Sequence, residues 1–410
     1  MDAAKIAIAG GGMVAGYAAK QFVEMGLKPG ELTILSADSS VPYERPPLSK
    51  GFLSGKDTEE SIRINPADFY QQHGIELKLN CVISSVDAAR KRLRLKSGAE
   101  FGFEKLILAT GCVPRPLDIP GAKLANILYL RSLNDSKGIQ KTAAGVRQAV
   151  VIGGGFIGME VASVLAQKGI EVTMVLREER IWQAFFAPQM SQFFEAYYGA
   201  RGVRFLKNAA IRELKAGDAV TSAILGDGQS VPCQMVVAGI GAKPVLEILA
   251  GSGIETGDGV MVNEYLETSQ PGILVAGDIA NYPDTLYGKR RRVEHWDNAV
   301  TQGQYCAKAL MGERAPFRHV PYFFSDVFDL SYEFWGDTSD AEQIVPRGDL
   351  TTSSFSFWWL RSGRLVAAFT MNRPDEERDS APKWIESKQK VSAAKLADAS
   401  QTLSGAALGD

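Results

Sequence analysis

Two short apolar runs in this chain each end in a cluster of glycines and lead straight into a helical stretch. The first is KIAIA (5–9), which meets Gly10-Gly11-Gly12 and an Ala-rich stretch reaching about Met25. The second is AVVIGGG (149–155), followed by a helix expected from about Phe156 to Lys168. A further apolar run follows each helix, ELTILS (31–36) and EVTMV (171–175). In the second helix Ile157, Val161, Val164 and Leu165 recur at helical spacing and predict one apolar face. A strand, glycine turn, helix and strand, repeated about 140 residues apart, restrict the chain to α/β units built on parallel sheets.

The glycine spacing says more than the element order. The second turn reads Gly153-x-Gly155-x-x-Gly158, with Phe156 and Ile157 between its last two glycines and Ala162 beyond. The first glycine permits a tight turn, the second lets a pyrophosphate approach the backbone, and the third lets helix pack on strand. The helix N-terminus then offers free amides and the positive end of its dipole to phosphates. The first turn reads Gly10-x-Gly12-x-x-Ala15, followed by Gly16; Ala is an accepted third residue. Two dinucleotide sites are therefore expected. An acidic residue about 20 positions on is expected to hold a ribose hydroxyl. Asp38 occupies that place in the first unit. In the second, Glu178 favours NADH, whereas Arg177 or Arg180 would pair with the 2′-phosphate of NADPH. NADH is the expected donor, with NADPH as the alternative.

The 410 residues suggest two or three domains. A formal net charge of -2 gives no global attraction to nucleic acid or an anionic membrane. The N-terminal MDAAKIAIAGGG enters a strand at once, and no apolar run reaches the roughly 18 residues of a membrane span. A cytoplasmic protein is expected. Cys81, Cys112, Cys233 and Cys306 include no closely spaced pair, so reduced thiols are expected. No metal site is expected. KLILATG (105–111) and GILVAGD (272–278) end in small-residue turns, as parallel strands facing a ligand do. From about Val320 the chain turns aromatic and alternating, with YFFSDVFDLSYEFWGD and later FSFWWL, which predicts an antiparallel sheet. Beyond about Pro374 a surface helix and a loose tail are expected.

One segment narrows the field. VPYERPPLSKGFL (41–53), taken with both turns and with LILATG (106–111), ILYLR (127–131), AGIGAKP (238–244), ILVAGDIA (273–280) and RRVEHWDNA (291–299), resembles a flavoprotein family. That family comprises ferredoxin reductases of oxygenase systems, monodehydroascorbate reductases and apoptosis-inducing-factor-like proteins. The resemblance runs to about residue 370. It implies α/β architecture of the glutathione-reductase type: two Rossmann-like dinucleotide-binding domains and a C-terminal α+β domain with an antiparallel sheet. Residues 1–112 and 243–317 would bind FAD, 113–242 would bind NAD(P)H, and 318–410 would cover the flavin and end in the loose tail.

Residue roles follow from the same resemblance. Arg45, Pro46 and Lys50 stand where the family contacts FAD, with the lysine near the flavin ring, where a fixed cation would stabilise the reduced, anionic form. Thr110, Gly111 and Arg131 match further FAD contacts. Gly277 and Asp278 match the element whose aspartate binds the ribityl chain. Glu160 matches a glutamate able to pair with the lysine, and Gly241 a glycine lining the NAD(P)H site. Glu294, His295 and Trp296 match a turn against the flavin and nicotinamide. Trp296 would cover the ring, and His295 is a candidate catalytic histidine. Lys50, Glu160, His295 and Trp296 form the expected catalytic set.

With no local cysteine pair, electrons are expected to pass from nicotinamide to flavin and directly to an external acceptor. A ferredoxin-type iron–sulfur protein is the favoured acceptor. A small organic oxidant, the monodehydroascorbate radical or a quinone, is the alternative. A redox-responsive interaction protein like apoptosis-inducing factor is the third reading. GLKPGELTILS, FEAYYGARGVRF and FDLSYEFWGD resemble monodehydroascorbate reductases. Yet Val300 and Asp326 stand where those enzymes carry two ascorbate-binding arginines, and Phe324 replaces a tyrosine. A carboxylate cannot take a guanidinium's place toward an anion. The basic run Lys289-Arg290-Arg291-Arg292 offers a patch on which an acidic ferredoxin would dock.

Overall fold

KIAIA becomes the centre of a parallel sheet. In the computed structural model, which describes residues 2–217 and 219–408, the strand Asp2–Ala9 lies between Leu32–Leu35 and Glu100–Leu108, both parallel to it. Glu76–Lys78 extends one side in parallel, and Ile273–Val275 pairs in parallel with the carboxyl half of Glu100–Leu108. The hairpin strands Ile83–Asp87 and Arg92–Leu95 complete the sheet antiparallel. Residues Ile6 to Ala9 are at most 2% exposed, because helices cover a parallel sheet and leave its strands no wet face. The helix Met13–Glu24 buries Ala15, Ala18, Ala19 and Phe22 completely. Its small residues let it lie close to the helix Trp296–Leu310, where a methyl on Gly303 would stand 2.8 Å from the Val14 carbonyl oxygen. These elements form one unit, made of the chain up to Arg45, Thr58–Val113 and Ala242–Pro321.

The second unit gathers Pro46–Asp57, Pro114–Gly241 and the chain from Tyr322 onward. Its parallel sheet runs Val203–Leu206, Glu171–Val175, Gln148–Ile152, Met235–Ala238 and Ile127–Leu128. The helix Phe156–Gln167 follows the second glycine turn. Val161, Val164 and Leu165 are buried as the periodicity predicts, but Ile157 is 42% exposed. Ile157 lies in the first turn, ahead of the part of the helix that packs on the sheet. The aromatic segment forms the expected antiparallel sheet, in the order Tyr322–Val327, Leu330–Gly336, Arg364–Met371, Ser354–Arg361 and Gln343–Asp349. Ser354–Arg361 is buried on both faces from Phe355 to Leu360. Phe193 packs edge-on against Phe355, while Trp384 of the helix Asp375–Glu386 packs against Trp358.

The expected loose tail is instead anchored. Leu396, Leu403 and Ala406 are fully buried. The Arg347 guanidinium, itself 4% exposed, donates to the carbonyls of Leu396, Asp398 and Gln401 and to the Glu377 carboxylate. An Ala/Ser-rich composition disguised this, because the anchoring bonds go to main-chain oxygens. Among the described residues no helix is long and apolar enough to cross a membrane, and no cluster of His, Cys, Asp or Glu is arranged to hold a metal.

Candidate functional site

In the first unit the strand Asp2–Ala9 stops at Gly10, whose φ of +128° belongs to glycine alone. A methyl there would sit 2.1 Å from the Ala109 carbonyl oxygen. Gly12 caps the following helix with no side chain on its free amides. The Arg45 guanidinium stands 3.7 Å from where a Gly12 Cβ would be, a cation beside the positive end of a helix dipole. Two like charges of that kind converge where an anion neutralises both. Asp38 lies just past Leu32–Leu35, taking bonds from the Ser40 amide (3.2 Å) and the Tyr43 hydroxyl (2.7 Å). The Thr110 hydroxyl donates to the Val245 carbonyl (3.2 Å), and Gly111 takes a positive φ.

The Gly277-Asp278 turn sits against the same helix pair. The Gly277 amide donates to Gln302 Oε1 at 2.7 Å, while the buried Gln302 Nε2 and Asn298 Oδ1 find no partner among the described residues. Unpaired buried polar atoms beside a polar turn are a condition that a polar cofactor satisfies. An open helix end, a guanidinium and these orphan atoms fit FAD in this unit.

Trp296 begins the helix that follows. Its indole N–H donates to Glu44 Oε2 at 2.5 Å, and its ring meets Tyr17 edge-on at 6.4 Å. The Tyr17 hydroxyl donates to the other Glu44 oxygen. Burial, followed by the charge of Arg291, holds the His295 imidazole down to about 4. His295 is therefore a neutral imidazole at physiological pH, with one ring nitrogen a donor and the other an acceptor. Glu294 pairs with Arg292, which also bonds Asp258.

The basic run is not a free docking patch. Arg290 donates to the Val262 and Asn281 carbonyls, Arg291 pairs with Asp284 at 3.3 Å, and Arg292 holds Glu294 and Asp258. These residues form the strand Lys289–Arg292, and its guanidiniums are spent fastening it to neighbouring strands and loops.

In the second unit the turn repeats with a different surround. Gly153 has φ +101°, and a Gly158 methyl would stand 2.2 Å from the Gly153 carbonyl. Gly155 faces open space and caps the helix Phe156–Gln167 without a side-chain bond. Phe156 packs against Phe185 and Phe323 at 5.7 and 4.5 Å. Glu178 is exposed beyond the strand Glu171–Val175, as is Arg177. Arg180 is not available for a phosphate, because it donates to the Phe186 and Gln183 carbonyls and to Ser191. Gly241, at φ +94°, accepts from the Arg115 amide.

Glu160, 4% exposed, collects three donors: Lys50 Nζ at 2.9 Å, Ser325 Oγ at 2.5 Å and the Ser49 hydroxyl. Lys50 Nζ also reaches the Pro46 carbonyl at 3.3 Å and stands 5.6 Å from the centre of the Phe324 ring. Removing one member of such a buried pair typically costs about 3–5 kcal/mol. Arg131 lies in this unit too, its amide donating to Asp135. Sequence reasoning named Lys50 and Glu160 but missed Ser49, Ser325, Tyr17 and Glu44. Their partners lie more than a hundred residues away for the serines and 252 away for Glu44 and Trp296, and no local spacing carries such a link.

Residues 4–303 match the family model "Pyridine nucleotide-disulphide oxidoreductase", and residues 322–407 match "Reductase C-terminal". The chain belongs to the pyridine nucleotide-disulphide oxidoreductase family. Monodehydroascorbate reductase 4, peroxisomal, of Arabidopsis thaliana is 36% identical, over 94% of this chain and 82% of the relative. A crystal structure of a ferredoxin reductase from Rhodopseudomonas palustris superposes with a TM-score of 0.94 at 33% identity over the whole of both chains. The reductase of a covalent putidaredoxin reductase–putidaredoxin complex gives 0.93 at 30% identity, over 98% of this chain and 97% of that one. The protein is an FAD-dependent NAD(P)H oxidoreductase with two Rossmann-like nucleotide-binding domains and an antiparallel C-terminal sheet. The likeness to both ferredoxin and monodehydroascorbate reductases matches the expectation from VPYERPPLSKGFL and the two turns.

Proposed function

We propose that this member of the family passes electrons from NADH through FAD to a ferredoxin-type iron–sulfur protein. FAD, when bound, accepts a pair of electrons as hydride and releases them one at a time, which is what joins a two-electron donor to a one-electron acceptor. Gly10, Gly12, Ala15, Asp38, Arg45, Thr110, Gly111, Gly277, Asp278 and Glu294, with Pro46 and Arg131, are assigned to FAD. Gly153, Gly155, Phe156, Ile157, Gly158, Glu178 and Gly241 are assigned to the nicotinamide dinucleotide. Lys50, held by Glu160, would supply a fixed cation for hydride transfer, and Trp296 would cover the flavin ring. His295, its imidazole held down to about 4 by burial and the charge of Arg291, is assigned to the same flavin-facing turn as a neutral side chain. A reducing compartment such as the cytoplasm suits the four free thiols.

The acceptor reading is carried by Asp326. It is exposed on the strand Tyr322–Val327 and alternates onto the same face as Tyr322 and Phe324. A carboxylate there repels a small anionic radical, and Val300 adds no cation. The likeness to a ferredoxin reductase over the whole of both chains supports the same choice. The identity to the Arabidopsis enzyme favours a second reading, reduction of an organic radical or quinone. Steady-state rates with ferredoxins, quinones and monodehydroascorbate, using ferricyanide to verify competent enzyme, decide between them. Cytochrome c reduction that requires added ferredoxin is expected. Failure of every cognate ferredoxin while a quinone or the ascorbate radical turns over would overturn the proposal.

A further inference from the structure

Trp296 is held by more than its backbone. Its indole N–H and the Tyr17 hydroxyl converge on the two oxygens of a single carboxylate, Glu44, and the rings of Trp296 and Tyr17 meet at an interplanar angle of 88°. Tyr17 belongs to the helix of the first glycine turn. Glu44 immediately precedes Arg45, whose guanidinium stands beside Gly12. Three segments far apart in the chain thus meet on one aromatic ring within the FAD-binding unit. A tryptophan at the first position of a helix otherwise has rotamers to choose from. A hydrogen bond to a carboxylate at one edge and an aromatic edge contact leave it one orientation.

We propose that Glu44 is the positioning residue for Trp296, fixing its indole so that electrons leave the cofactor along a constant path. This rests on the reading of Trp296 as the cover of the flavin ring. A ring that swings changes the gap an electron must cross, and rates respond steeply to displacement.

The clamp can be tested apart from that reading. In holoenzyme labelled with ¹⁵N at its six tryptophans, Trp296→Phe identifies the Trp296 indole resonance. A proton bonded to a carboxylate is expected far downfield and slow to exchange. Glu44→Ala should move that resonance upfield and accelerate its exchange. Glu44→Gln, which keeps one oxygen acceptor, should restore part of both and also serves if the alanine variant does not fold. Ferredoxin-dependent turnover should fall measurably in Glu44→Ala, and flavin reduction by NADH should fall less. An indole signal unmoved in both Glu44 variants overturns the clamp. If Trp296→Phe leaves ferredoxin turnover intact, the exit role of Trp296 is wrong, while the resonance still judges the clamp.

Discussion

The two glycine turns follow one local pattern but face different surroundings. The first is walled. A methyl on Gly10 would strike the Ala109 carbonyl, one on Gly11 would lie 2.0 Å from Ser36 Oγ, and Arg45 stands by Gly12. The second is closed behind and open in front. Gly153 and Gly158 are pressed against backbone, but nothing lies within 4 Å of a Gly155 methyl. Ile157, Phe185 and Ile240, close to that turn in sequence or packing, are 42%, 46% and 36% exposed. A walled cradle with a cation built in suits a cofactor that stays. An open mouth with an apolar rim suits a dinucleotide that enters and leaves at every turnover, drawn by burial of its ring faces and released because little has closed over it. Two closely similar fingerprints would thus serve ligands of different residence through what the rest of the chain brings to them.

The sharpest way to break this comparison is Gly10→Ala. The substitution asks an L-residue to adopt φ +128° with a Cβ inside the Ala109 carbonyl. A loss of about 3 kcal/mol or more is expected, with purified protein largely colourless. Denaturant midpoints and flavin absorbance measure both. A yellow variant of unchanged stability would mean that the first turn is not walled.

A smaller, opposite effect is expected at Gly155, where φ is -82° and the space is open. Gly155→Ala should leave the melting temperature and bound FAD unchanged. Its methyl holds the phosphates away from the helix amides, so KM for NADH should rise about tenfold, equivalent to about 1.4 kcal/mol. Destabilisation without a change in KM would show that the second turn is packed like the first.

Both turns were legible because their chemistry is local: a strand end, a positive φ and a helix start lie within a few residues. The aromatic sheet was legible through its alternation. What stayed hidden was settled at long range. The Arg347 fan that anchors the tail bonds mostly to carbonyls, which composition does not display. The basic run Lys289-Arg290-Arg291-Arg292 looked like a surface patch because sequence shows charge and not its partners. Ile157 fits the helical period, yet it precedes the packed face. In each case the residue type was visible and the occupant of the space beside it was not.

The finest contrast between the turns lies in the acids beyond them. Asp38 is already engaged by Ser40 and Tyr43, so its carboxylate is fixed where a resident ribose would meet it. Glu178 is exposed, and only its backbone carbonyl is occupied, by the Asn208 amide. It can therefore meet an exchanging ligand, at the cost of ordering its side chain each time. Glu178→Ala should reduce the preference for NADH over NADPH by about three- to tenfold, within the 0.5–1.5 kcal/mol of an ordinary hydrogen bond. It should not reverse the preference, because Arg180 is committed to Phe186, Gln183 and Ser191 and only Arg177 remains exposed at this end of the strand. Ratios of kcat/KM for the two nucleotides measure this directly. An outright switch to NADPH would mean that Arg180 abandons those partners for a phosphate. An unchanged ratio would remove Glu178 from the ribose and leave the second turn without its acid.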